Sequence, residues 1–473
     1  MRKLTDDYME NVDLLDKELN VSGNFDMLKK KLKVGDDDIT LYYIDGFVKD
    51  TVMQKLMMYF LSLDSLGNGS ANVARRFVDE KLPYVEVEAT EDVDVMIKMV
   101  MSGATLMLGR RFGAWGVIID SRSYPARDTA EPGDDRVMRG SRDGFVETLI
   151  FNTALIRRRV RDTSLVMNYM SIGKSSQTDI VICYMSDKAD IKYVEQLKKR
   201  LSNIKTESLT MGHESLAECL IKTRWYNPFP KIRTTERPDA AVSQLLEGSV
   251  LVICDNTPEV MILPTTIFDF LQETNDFYFP PLTGSYLRIV RHLVFWLTLV
   301  LIPTWYLLIR NPVWIPDWLS FIVPQDAGRL PIIAQLLLVE FLIDGLRMAS
   351  MNTPDMLSNS LSIVGGLILG DFAVNIGWLI PEVILYTAFV AIANFTQRNY
   401  ELGYAFKFMR IILLVLTALF NVWGYVGGLV LVVVLICTNK TVNGKRSYLY
   451  PLIPFNAKGM KSMLVRVKKR DVA

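Results

Sequence analysis

The sequence predicts an α/β soluble N-terminal region made of two small subdomains, followed by an α-helical transmembrane bundle. Three observations predict it. Charged and apolar residues are mixed in globular fashion up to about Pro280, long charge-free apolar stretches are confined to the chain beyond Leu293, and the C-terminal tail is densely basic. Of the 473 residues, 50% are hydrophobic and the mean hydropathy is +0.20, high for a soluble chain. Lys and Arg number 53 against 52 Asp and Glu, a formal net charge of +1. No global basic field exists to hold nucleic acid, so that class of partner is excluded from the expectation.

Four regions follow: 1–167 and 168–285 as the α/β subdomains, 286–442 as a helical membrane domain of about four to six spans, and 443–473 as a basic tail. The N-terminus turns acidic at Asp6 and has no apolar run ending in a small-residue cleavage site. It is not a secretory signal, and the N-terminal region is expected on the cytoplasmic side. Cys183, Cys219, Cys254 and Cys437 form no C-x-x-C pair and read as buried thiols in a reducing compartment.

In the first subdomain, Met9, Val12, Leu15 and Leu19 recur at helical spacing. Ile39–Val48 reads as a strand, TVMQKLMMYFL as a helix, and ATLMLG with WGVIID as a hairpin or two neighbouring strands. From Ser141, SRDGFVETLIFNTALIRRRV predicts one helix with Phe145, Leu149, Asn152 and Ile156 on a shared face. Arg157, Arg158 and Arg159 fall near its end, where the helix dipole favours cations. Such a run is more often a solvated helix end than a ligand site. In the second subdomain DIVICYM and SVLVICD read as buried strands flanking the helix KYVEQLKKRLSNI, a βαβ-like alternation, with RWYNPFPKIRTTERPD as a long connection.

The membrane half opens with Leu293–Ile309, a charge-free span bounded by Arg288, Arg291 and Arg310. NPVWIPDWLSFIVPQD, with Trp314, Trp318 and Phe321, suits the lipid headgroup layer on the outer side. Leu330–Ser350 is long enough to span yet carries Glu340, Asp344 and Arg347 on one face. Ionisable groups are costly in lipid, so that face must meet protein or water, either as an ion pair that locks helices or as part of an ion path. Leu361–Leu379 is broken by Asp371, and Gly366 and Gly370 form a G-x-x-x-G packing pair. With Pro381–Phe395 it suggests a hairpin or a discontinuous helix. Ile411–Cys437, with Asn421, Gly424, Gly427 and Gly428, is one tilted helix or two short ones. A cytoplasmic basic tail requires an even number of crossings, so either this run folds back or an earlier segment fails to cross.

Several long passages carry a family resemblance: EPGDDRVMRGSRDGFVETLIFNTALIRRR, which contains Glu131, Pro132, Arg139, Gly140, Gly144, Phe145, Glu147, Asn152 and the three arginines; ERPD (Glu236, Arg237, Pro238, Asp239); CDNTPEVMILP; SIVGGLILG; NFTQRNYELGYAFKFMR; and SYLYPLIPF. Together they resemble the A subunits of GerA-type spore germination receptors, from about Ile39 to Phe455. LRMASMNTPDMLSNSLSIVGGLILGDFAV and PEVILYTAFVAIANFTQRNYELGYAFKF look closer to the stage V sporulation branch than to nutrient receptor subunits. Ser141 stands where the family often has proline, and Asn256 where it usually has glycine. The resemblance implies a protein of the spore inner membrane acting in germination as an oligomeric ion channel that promotes cation release, with a small membrane partner. The other branch implies association with receptor B and C subunits.

Motifs for chemistry fail. SIGKSS lacks the glycine that a phosphate loop needs at position 168, which is Asn168, and Gly109, Gly113 and Gly116 do not form a dinucleotide cradle. Two histidines, His213 and His292, offer no zinc motif. No enzyme activity and no cofactor or metal is therefore expected. The weighed functions are ion conduction through a homo-oligomer in lipid, with Asn359, Ser362, Gly366, Gly370 and Asp371 facing the path, and a membrane-anchored signalling or scaffold protein. A secondary transporter broken near Gly377 is a third reading.

Overall fold

The computed structural model describes residues 2–67, 73–122, 137, 139–221, 226–325, 328–352, 373–397, 399–439, 441–442 and 448–466. The chain forms two compact units: Met1–Lys222 with Ile232–Thr265, and Thr223–Lys231 with Thr266–Ala473.

The described residues of the first unit form two five-stranded antiparallel sheets. The first runs in the order β1-β2-β4-β5-β3, with β1 Met27–Val34, β2 Asp37–Ile44, β3 Val87–Thr90, β4 Thr105–Gly109 and β5 Gly116–Ile119. Strands β4 and β5 are buried along their whole length because helices cover both faces. Tyr42, Ile44, Leu106, Leu108 and Ile118 meet α1 (Tyr8–Glu18) and α4 (Val93–Met101). Their strand neighbours Ile39, Leu41, Met107, Val117 and Ile119 meet α2 (Asp50–Leu61) and α3 (Val73–Arg76). The period of two along each strand thus divides one sheet between two apolar layers. Helix α1 is capped by the Asp7 side chain, which accepts from Met9 N and Glu10 N; it buries Tyr8, Val12 and Leu15 and leaves Met9 exposed.

The second sheet runs β6-β7-β9-β10-β8, with β6 Leu165–Ile172, β7 Thr178–Met185, β8 Arg233–Thr235, β9 Val250–Cys254 and β10 Val260–Leu263. The alternation expected to be βαβ-like is corrected. Strands β7 and β9 pair antiparallel, Ile180 opposite Cys254 and Cys183 opposite Leu251. Between them the chain passes through α6 (Ile191–Ser202), α7 (His213–Leu220), β8 and α8 (Pro238–Leu246), and it arrives at β9 from the opposite end. Part of the expected connection is therefore strand β8 and the start of α8, with Pro238 in its first turn. The boundary expected at 167/168 falls inside β6, and α5 (Leu149–Arg159) packs with α8 on this second sheet. Helix α5 starts eight residues later than the pattern suggested. Residues 141–148 stay outside the helix, where the Asn152 amide accepts from Val146 N (2.8 Å) and donates to Val146 O (2.6 Å).

Among the described residues of the second unit are α9 (Asn275–Tyr278), α10 (Pro281–Arg310), α11 (Ile332–Asn352), α12 (Pro381–Phe395), α13 (Tyr400–Thr438) and α14 (Ala457–Leu464). Helices α10 and α13 are long and apolar enough to cross a membrane. Helix α13 is interrupted at Asn421 (φ 53°, ψ −128°), and its two limbs fold back on each other. A Cβ on Gly428 would come within 2.5 Å of Leu413 Cδ1, and one on Gly424 within 1.8 Å of Leu416 O, so glycine lets the limbs touch backbone to backbone. Asn311 and Asn421 exchange side-chain amide hydrogen bonds of 2.8 and 3.1 Å at the turn, and Arg310 donates to Thr417 O. These contacts occupy polar groups that the chain reversal frees. Trp314, Trp318 and Phe321 lie exposed on the turns after α10, while Ile322 O accepts from Trp305 Nε1.

Candidate functional site

The motif residues of the soluble unit are tied into architecture. Arg157, expected as part of a solvated helix end, is fully buried, pairs with Asp26 at 3.1 Å and donates to Leu165 O. Arg159 pairs with Asp143 at 2.5 Å and donates to Ser141 Oγ, whereas Arg158 is exposed. Arg237, also fully buried, grips Asp239 through two bonds of 3.0 and 2.7 Å and donates to Ser141 O. Phe145 N donates to Glu236 O, Leu149 N to Asp255 Oδ1 and Asn256 N to Glu147 O, so passages far apart in sequence close around the start of α5. Asn256 has φ 62°, a backbone state where glycine is at ease and asparagine is tolerated. Arg139 is described with Gly140 at φ 121°, and Gly144 is buried; Glu131 and Pro132 lie outside the described residues. Cys183 and Cys254 are buried, and burial pushes the Cys183 thiol up and the Cys254 thiol up to about 11. Neither is a thiolate at neutral pH. Cys219, expected buried, is exposed.

In the helical unit, α10, α11 and the first limb of α13 bring charged side chains together. Arg410 donates to Glu340 Oε1 from Nε (2.9 Å) and Nη2 (2.7 Å), and to Thr298 O on α10 from Nη1 (2.9 Å). Lys407 lies 3.2 Å from Glu340 Oε2 and 2.6 Å from Asp344 Oδ1, and also donates to Glu340 O. Glu340, Lys407 and Arg410 are buried and Asp344 is partly exposed. The chain Asp344–Lys407–Glu340–Arg410 alternates in sign, so each charge has a counter-charge within the protein. Arg347, expected on the same face, joins none of these pairs. Its guanidinium lies 4.6 Å from the ring of Tyr400, 5.1 Å from Tyr404 and 5.7 Å from Phe395. A cavity of about 30 Å³ is walled by these groups together with Thr387 and Asn394.

Helices α11 and α12 run in the same direction. At one end Gln335 Oε1 accepts from Ile380 N and Arg329 N donates to Gly377 O; at the other Arg347 meets Phe395. Asn359, Ser362, Gly366, Gly370 and Asp371 lie outside the described residues.

The sequence profile of the family described as Bacillus/Clostridium GerA spore germination protein matches residues 13–472. The chain belongs to the GerA family. Stage V sporulation protein AF of Bacillus subtilis (strain 168) is 35% identical over 460 residues, 97% of this chain and 92% of that protein. Spore germination protein KA of the same organism is 28% identical over 455 residues, 94% of this chain and 82% of that one. A crystal structure of the N-terminal domain of the A subunit of the Bacillus megaterium spore germinant receptor GerK3 aligns with 55% of this chain and 96% of that one, at 24% identity and a TM-score of 0.42. Similar proteins of this GerA chain are thus germination and sporulation proteins, and two of its helices are long and apolar enough to cross a membrane.

Sequence reasoning missed Lys407 and Arg410. Their spacing of three places them on one helix face at the mouth of a long apolar run, complementary to Glu340 and Asp344 at spacing four. That complementarity was the available signal. The aromatic trio around Arg347 had none, since Tyr400, Tyr404 and Phe395 read as ordinary boundary aromatics.

Proposed function

We propose that this GerA-family protein works in the spore inner membrane as a subunit of a homo-oligomeric ion channel that promotes cation release during germination. The observation that carries the reading is the alternating charge chain of Asp344, Lys407, Glu340 and Arg410. A bundle that served only as an anchor has no use for a chain of four paired ionisable groups, three of them buried, whereas a rigid wall around an ion path must hold α10, α11 and α13 in one register. Because Glu340 and Asp344 are spent on internal pairs, the path is assigned to the passage with Asn359, Ser362 and Asp371 rather than to them. The fold-back at Asn421 supports an even number of crossings, with the N-terminal unit and the basic tail both on the cytoplasmic side. Partners on this reading are lipid, further copies of the chain and a small membrane protein.

Planar-bilayer recording of the purified protein tests it. A conductance whose ion selectivity changes in Asp371→Asn supports the channel. A silent bilayer, with assembly that depends on receptor B and C subunits, would instead favour a nutrient receptor A subunit or a membrane-anchored scaffold.

A further inference from the structure

The charge chain in the helical unit balances, two carboxylates against two cations, and Arg347 is left over. Among the described residues no carboxylate lies within ion-pair distance of it, and it donates no side-chain hydrogen bond. The rings of Phe395, Tyr400 and Tyr404 attract its charge through their faces but take none of its five N–H groups as in-plane acceptors. The same cavity wall carries two more uncommitted donors: neither the Asn394 amide nor the Tyr404 hydroxyl has a hydrogen-bond partner among the described residues. Lys407 and Arg410, by contrast, are engaged by Glu340, Asp344 and Thr298. The wall therefore presents one unneutralised positive charge and a surplus of donors. The partly open space of about 30 Å³ holds one or two water-sized particles.

We infer that this cavity binds a small monovalent inorganic anion of halide size, seated on Arg347, Asn394 and Tyr404. The single surplus charge sets the valence, and the volume of about 30 Å³ suits an ion no larger than one or two water-sized particles. The site is independent of conduction. It would tie the end of α11 to the end of α12 and the start of α13 through a shared counter-ion, where the carboxylates of the described residues supply none.

The test uses the full chain in nanodiscs of zwitterionic phosphatidylcholine, with sodium gluconate replaced stepwise by sodium bromide at constant ionic strength. Bound bromide raises Tm along a saturating curve, as required for a ligand that binds only the folded state. Arg347→Gln flattens that curve. Should that variant fail to fold, Tyr404→Phe keeps the ring against Arg347, removes one donor and moves the half-saturating bromide concentration up several-fold. A wild-type Tm indifferent to bromide, or a bromide response unchanged in the variants, overturns the assignment. So does an Arg347-dependent stabilisation that appears only when phosphatidylglycerol is added, because a lipid phosphate would then be the occupant.

Discussion

Each half of the molecule buries an arginine against a carboxylate, and the two arrangements differ in what stands behind the pair. In the soluble unit, Arg157 and Asp26 form an isolated couple whose remaining support is Leu165 O. In the helical unit, Arg410 and Glu340 are two links of a four-membered chain that also engages Lys407, Asp344 and the backbone of α10. An isolated couple can be replaced by apolar side chains of similar volume, because the cost of desolvating both charges disappears together with their attraction. A chain of alternating charges cannot be shortened from the middle without stranding a member. The difference teaches that the soluble pair specifies how two sheets meet, while the helical chain is a single indivisible element.

The strongest way to break that comparison is Glu340→Gln, which leaves Arg410 and Lys407 facing a single carboxylate. The expected cost is about 3–5 kcal/mol, as for other buried pairs that lose one partner. It is read as loss of monodisperse protein in detergent and a lower Tm. Glu340→Gln combined with Arg410→Gln leaves the Lys407–Asp344 pair balanced and is expected to be more stable than Glu340→Gln alone. A single variant indistinguishable from wild type would show that the chain is not a unit.

The soluble pair sharpens the contrast at smaller cost. Asp26→Asn strands one buried guanidinium and is expected to destabilise by about 3 kcal/mol, whereas Asp26→Leu with Arg157→Met is expected to be neutral or stabilising. Denaturant unfolding of the full chain, followed by a probe in the soluble unit, checks both. A double variant as unstable as Asp26→Asn would show that this couple too depends on more than its own two charges.

How much of this was legible depended on sequence separation. The apolar layers of the first sheet followed from strict alternation, because Leu106 and Leu108 must face away from Met107. Strand direction in the second sheet did not, since a continuous apolar run such as Val250–Cys254 looks the same in a parallel or an antiparallel neighbourhood. The helical stretches stood out, and Pro381–Phe395 appears with the expected limits. The fold-back remained open because one asparagine at φ 53° leaves no mark on a hydropathy pattern. Glu340 and Asp344 were found as costly groups, but their partner Lys407 lies 67 residues from Glu340, and no local rule spans that distance. The soluble motif residues were recognisable by resemblance, while their roles were not, because burial of Arg157 and Arg237 is decided by tertiary packing.

The smallest expected effect concerns Arg159, a neighbour of Arg157 on the same helix but near the surface. Burial alone would push the Asp143 carboxyl up; hydrogen bonds from Arg159 and Ser141 and the arginine charge outweigh it and hold the carboxyl below the usual range. A carboxyl lowered by folding stabilises the native state fully above its unfolded value of about 3.9, and that contribution fades as pH falls through the lower folded value. Acid unfolding of Asp143→Asn is therefore expected to lose one shallow component below about pH 4. The pair is partly exposed, so its effect should also shrink with added salt, whereas that of the buried couple should not. Equal salt sensitivity of the two would mean that water reaches Asp26 and that burial is not what separates these arginines.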